Sequence, residues 1–199
     1  MKKQSTEIRQ KQIKEAFLDI IHSDGLKSLS TRNLSKKIGL SEGSIFRHFA
    51  SKQDIILAIF SDVDRDFIDS LRIIANSSES PEKRLSKLLC RTVTYLVDNK
   101  GVTMLLFSEA SHNNDTELKT RLLHIFNSQK KLVSKIIHDG IAIGTWDESL
   151  HVDNIAMLYM GIPVTVNIEL ILNGGQFHSQ NFCQQMMTLL ERILNKENA

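Results

Sequence analysis

Two prolines and nine glycines in 199 residues leave little to interrupt long helices. Two cysteines, Cys90 and Cys183, make no disulfide framework. No signal peptide precedes the first helix, where Lys2 and Lys3 lead into a polar run. A reducing cytoplasm is therefore the expected compartment. No Walker loop, dinucleotide fingerprint or nucleophile elbow is present, so an enzyme is not expected. Among His112, His124, His138, His151 and His178 no pair has the four-residue spacing that sets two metal ligands on one helix face. No metal or other cofactor is expected. The apolar run from Val152 to Leu172 contains Pro163, Asn167 and Glu169, which argue against a membrane span. It reads instead as a helix buried on both sides, one of them against a second copy of the chain. No convincing strand, repeat or low-complexity segment appears, and the chain reads as all-α, with about nine helices.

What the chain does have is charge asymmetry around one motif. Residues 1–54 carry 11 Lys/Arg against 6 Asp/Glu, whereas residues 55–199 carry 14 against 17. The basic end coincides with Thr31 to Ala50, TRNLSKKIGLSEGSIFRHFA. Ser30 can cap a first short helix. Leu34 and Ile38, four apart, share its inner face. Gly39 supplies a left-handed helix stop, Leu40 plugs the turn, and Ser41 caps the second helix. Ile45 and Phe49 repeat the four-residue spacing. Glu42, Gly43, Ser44, Phe46, Arg47 and His48 are left on or near the outer surface. A short helix of this kind can enter a major groove by its N-terminus.

A first helix spans Thr6 to Ser23 with Ile13, Ala16, Phe17, Ile20 and Ile21 on one face. Ser51 caps a long fourth helix running to about Ala75, read as a rigid rod between two domains, 1–52 and 53–199. Its apolar face is Ile56, Ile59, Phe60, Val63, Phe67, Leu71 and Ile74. Pro81 restarts a helix after the break at Asn76–Ser80. Cys90 lies among Leu88, Leu89 and Val93 as a buried thiol. Further helices follow: a short one from Val102 to about Ser111, one towards Gly140, the apolar run, and an amphipathic last helix. The last two, from each of two subunits, can build a four-helix bundle.

The chain resembles the TetR/AcrR family of bacterial transcriptional regulators. The residues that carry the resemblance are Gly25, Ser30-Thr31-Arg32, Ile38-Gly39-Leu40-Ser41, and Gly43 to Phe49 leading into Ser51-Lys52. Phe46 stands where the family usually has a phosphate-touching tyrosine. The resemblance implies double-stranded operator DNA as partner, a homodimer, and a small-molecule inducer in the helical half. Thr31 and Lys52 are then phosphate contacts. Ser41, Glu42, Ser44 and Arg47 are the candidates for base edges, with Phe46 on a thymine methyl or sugar. His48 meets the backbone, and Arg32 either. Candidates to line a ligand pocket are Phe107, Glu109, His112, Phe126, Trp146, Tyr159, Met160 and Glu169. Glu169 lies in an apolar run, where a carboxylate needs a partner. The expected function is a ligand-responsive repressor. The alternative is a DNA-bound scaffold that recruits a protein partner.

Overall fold

Each of the first four helices begins at a serine whose side-chain oxygen accepts a backbone amide three residues on. The pairs are Ser5–Ile8, Ser30–Asn33, Ser41–Ser44 and Ser51–Asp54, at 3.4, 3.1, 3.2 and 3.1 Å. Each bond satisfies one of the amides that a helix start leaves without an internal partner. The computed structural model describes residues 5–99, 116–177 and 181–195 together with Val102 and Leu105. Among these it is helical, without strands. The elements are α1 (Thr6–Asp24), α2 (Thr31–Ile38), α3 (Glu42–Phe46), α4 (Lys52–Asp62), α5 (Asp69–Ala75), α6 (Pro81–Asp98), α7 (Thr116–Ala142), α8 (Val152–Leu172) and α9 (Phe182–Leu194). The expected short helix from Val102 lies almost wholly outside the described residues.

The described residues fall into two compact units. The first holds residues 5–63, Val102, Leu105 and 116–122; the second holds 64–99, 123–177 and 181–195. In the first, α1 packs on α2 and α4, and α2 on α3. The face expected of α1 is the buried one: Ile13, Ala16, Phe17, Ile20 and Ile21. Leu34, Ile45 and Phe49 join that core, while Ile38 is half-buried.

The expected rod is not a regular α-helix. Between α4 and α5 the chain is π-helical, Val63–Ile68. A π turn takes up an extra residue, so the buried stripe shifts beyond it. Ile68 and Ala75 are fully buried, whereas Ile74, expected inside, is half-buried.

In the second unit α6 packs on α5, α8 and α9. Its apolar row, Leu85, Leu88, Leu89 and Val93, is buried. Arg84 is buried with it, and its Nη1 donates to the Ala75 carbonyl at 2.9 Å and to Asp139 at 2.8 Å. Lys135 donates to the same carboxylate at 2.9 Å. Partial burial of Asp139 works to raise its pKa, but the hydrogen bonds from Lys135 and Arg84 outweigh it and hold the carboxyl below its ordinary value. A carboxylate with a depressed folded-state pKa stabilises the fold above its unfolded pKa and loses that contribution as pH falls through the folded value. Asp139 is 38% exposed, so solvent screens part of the effect. We expect Asp139→Asn to flatten the loss of thermal stability below about pH 4, where ordinary aspartates take up protons. Melting curves of both proteins across that range check it, and parallel curves would show that Asp139 is not coupled to folding.

The apolar helix α8 is continuous through Pro163. It is long and apolar enough to cross a membrane by length and composition, and 39% of its most apolar window is buried within the chain. Tyr159, Met160, Pro163, Val166, Asn167 and Leu170 form its inner side.

Candidate nucleic-acid interface

The turn between α2 and α3 is a Schellman stop. Gly39 sits at φ 66° and ψ 32°, in the left-handed region. The amide of Leu40 donates to the Ser35 carbonyl at 3.0 Å, and that of Gly39 to Lys36 at 3.4 Å. These bonds satisfy two of the carbonyls that end α2 and turn the chain directly into α3. A residue with a Cβ would be strained at this φ, which is why the turn needs glycine. Ile45, 1% exposed, anchors α3 to the core. Every other residue of α3 is at least partly solvent-facing: Glu42, Gly43 and Phe46 are exposed and Ser44 is half-buried.

The exposed polar groups are ordered by one another. Thr31, first residue of α2, donates its hydroxyl to Glu42 at 2.7 Å, which links the N-terminal ends of α2 and α3. The Ser41 and Ser44 hydroxyls are 2.9 Å apart. Arg47 Nη2 donates to Ser44 Oγ at 2.8 Å. Ser41, Ser44 and Arg47 therefore form a connected row along the outer side of α3. An arginine held in this way presents its remaining guanidinium donors in a defined direction.

Phe46 is 47% exposed, a large apolar ring in a polar surface. His48 is half-buried, its Nδ1 has no hydrogen-bond partner, and its carbonyl accepts from Gln10 of α1 at 3.2 Å. That bond ties the residues just past α3 to α1. Arg32 and Lys52 are exposed, Lys52 at the first position of α4. The residues singled out for DNA thus sit on α2, on α3 with its flanks, and at the start of α4. Thr31, Ser41, Glu42, Ser44 and Arg47 are the ones drawn together by side-chain bonds.

The expected ligand residues are not drawn together in the same way. Phe107, Glu109 and His112 lie outside the described residues. Tyr159 is fully buried and donates its hydroxyl to the Leu85 carbonyl at 3.2 Å. Burial pushes that phenol well above its ordinary pKa, with Cys90 and Cys183 adding to the effect. Trp146 is buried against Gly140. Met160 is buried, Phe126 is half-buried and Glu169 is exposed to solvent. The exposure of Glu169 removes the need for a partner that its apolar neighbours in sequence suggested.

A groove of about 740 Å³ opens instead along α6 and α9, lined by Ser86, Cys90, Thr94, Asp98, Gln184 and Glu191 among others. None of the expected ligand residues lines it. The readable signal was the small and polar row Ser86, Cys90, Thr94 at four-residue spacing beside the buried leucines of α6. Cys90, expected to be buried, is half-buried there.

These features define a helix-turn-helix head of the kind that reads duplex DNA. Residues 15–59 match the family model for bacterial regulatory proteins of the tetR family. The head is thus similar to those of tetR-family regulators, and the chain as a whole shares the fold of solved regulators of that family. It is 27% identical over 128 residues to the nucleoid occlusion factor SlmA of Actinobacillus pleuropneumoniae, a match covering 64% of this chain and 63% of that one. The chain thus spans somewhat less than two thirds of the length of that relative. It has the fold of FadR from Bacillus subtilis, solved with stearoyl-CoA, at a TM-score of 0.75 and 20% identity over 90% of this chain and 96% of that one. PfmR of Thermus thermophilus shares the fold at a TM-score of 0.78 and 15% identity, over 96% and 98% of the two chains.

Proposed function

We infer that the chain is a cytoplasmic, homodimeric repressor that binds a palindromic operator and is released by a small apolar or amphipathic inducer. The observation that carries the DNA half of this reading is the ordered row Ser41, Ser44 and Arg47 on an exposed α3 beside Thr31 and Lys52. Arg47 suits a guanine edge and Glu42 a cytosine amino group, with Ser41 and Ser44 as adaptable partners. Thr31, Lys52 and His48 serve the phosphates, Arg32 a phosphate or a base edge, and Phe46 a thymine methyl or sugar.

A dimer is supported by α8 and α9. Met157, Gly161, Thr165, Ile168 and Leu172 recur at three- and four-residue spacing on the solvent side of α8, and Leu172 is 78% exposed. Leu189 and Ile193 do the same on α9. A second copy would cover both faces and remove this apolar surface from water. Two heads related by a two-fold axis would meet half-sites one helical turn apart. An inducer acts by binding one dimer shape better than the other. The stearoyl-CoA in the FadR structure supports an amphipathic inducer class.

Selection of binding sites from a random duplex pool at physiological salt tests this reading. Enrichment of one inverted repeat is the expected result, and a pool without enrichment would overturn it. Lys52→Ala is expected to weaken all sequences alike and to lower the salt slope of binding by about one. Titrations at several salt concentrations check it; an unchanged slope with altered base preference would show that Lys52 reads bases.

The similarity to a nucleoid occlusion factor favours a second reading, a DNA-bound scaffold that recruits a protein partner. A thermal-shift screen across lipids, acyl-coenzyme A species and drugs separates the two. Stabilisation by one class supports the repressor, and silence throughout supports the scaffold.

A further inference from the structure

The only two cysteines of the sequence meet in the fold. Cys90 lies on α6 and Cys183 on α9, helices that pack against one another. Both thiols line the 740 Å³ groove, and they are close enough to influence one another electrostatically. Both are half-buried at the wall of the groove. Among the described residues no cluster of three or more histidine, cysteine, aspartate or glutamate side chains is placed to hold a metal ion. Two thiols without further ligands fit sulfur chemistry better than a metal centre.

We propose that Cys90 and Cys183 are a dithiol site that exchanges with small disulfides entering the groove and closes to a reversible Cys90–Cys183 disulfide between α6 and α9. Burial first, and then the neighbouring Cys90 thiol, push the Cys183 thiol up to about 12. The thiolate is the nucleophile, and burial of Cys183 makes Cys90 the group expected to attack first. The Cys90 thiolate attacks one sulfur of the small disulfide, forms a mixed disulfide and expels one small thiolate. That thiolate takes the Cys183 proton. Cys183 then attacks the Cys90 sulfur and expels the second thiolate, which takes up the proton that Cys90 gave to solvent. Two protein thiols are oxidised, one small disulfide is reduced to two thiols, and atoms and electrons balance. The groove supplies the space that the mixed disulfide occupies between the two steps.

The test uses the full chain in its native state with oxidised glutathione, followed by denaturing alkylation and intact mass. The expected product is a monomer two hydrogens lighter, with neither cysteine alkylated, that dithiothreitol restores. Retention of both alkylatable thiols would overturn the proposal, as would a stable double glutathione adduct or a disulfide-linked dimer. Cys183→Ser is expected to stop at the glutathione adduct on Cys90. Cys90→Ser, with Cys183 alone, is expected to react at least several-fold more slowly than Cys183→Ser. Equal rates in the two variants would remove Cys90 as the attacking group. These readouts do not involve DNA, so their outcome stands apart from that of the operator selection.

Discussion

Replacing Gly140 by alanine is expected to lower the melting temperature of the chain by roughly 4–8 °C. A Cβ built at Gly140 would lie 2.2 Å from Cε3 of Trp146 and 2.6 Å from Cζ3. Carbon atoms do not approach so closely, and the atoms met belong to a rigid indole that is only 4% exposed. The ring has no solvent to swing into without opening the interior. Alanine would otherwise favour the helix by about 1 kcal/mol relative to glycine. The clash overrides that gain, because forcing extra volume into a packed site costs about 1–3 kcal/mol and occasionally more. Taken at the upper part of that range because the clashing ring is stiff, and less the alanine gain, the net loss is put at about 2 kcal/mol. The mechanism has a direct check. In a Trp146→Ala background, itself destabilised by about 3–5 kcal/mol, the glycine-to-alanine change should cost little or become favourable. Thermal melts of the four proteins of this double-mutant cycle give the coupling. A cost for Gly140→Ala that is the same with and without the indole would show that something other than the ring sets it.

The second large effect concerns DNA. Arg47→Ala is expected to weaken binding to the selected operator by roughly 5- to 150-fold, equivalent to about 1–3 kcal/mol, and to relax the preference at one operator position. Arg47 is exposed and held by Ser44 Oγ at 2.8 Å. Its loss therefore removes a donor fork without opening the core, and the melting temperature should stay within a degree or two. That combination separates it from Lys52→Ala, where affinity falls without any change in base preference. Affinity measured on the operator and on single-position variants decides the matter. An Arg47→Ala protein that keeps both affinity and preference would mean that α3 reads the duplex through other residues. Arg47→Lys should not rescue fully, because an ammonium cannot make the paired bonds that a guanidinium makes to one guanine.

The head was legible in the chain because its determinants are local. A capping serine needs only the amides three residues on, and Ser30, Ser41 and Ser51 all serve as expected. Gly39 stops α2 with the left-handed geometry the sequence called for. The buried face of α1 follows from its 3.6-residue period. Period alone could not show where the helix after Ser51 takes up a π turn, because an inserted residue leaves the apolar count unchanged. Ile68 and Ala75 replaced Ile74 on the inside for that reason.

The helical half shows the opposite balance. Sequence supplied its helices, since Pro81 and the apolar rows of α6 and α9 are local signals. It could not supply which polar residues meet, because those meetings join positions distant along the chain. Arg84 with Asp139, Tyr159 with the Leu85 carbonyl and Cys90 with Cys183 are all of this kind. Aromatic and methionine side chains such as Trp146, Tyr159 and Met160 read equally as core or as pocket until packing decides, and here they are core. By itself the sequence determined a helix-turn-helix head and the residues it shows to solvent, because caps, turns and helical period act over a few residues. Only tertiary structure decided which helices of the second unit share a groove and that both cysteines stand at its wall, because side-chain encounters across a core are set by how whole helices pack.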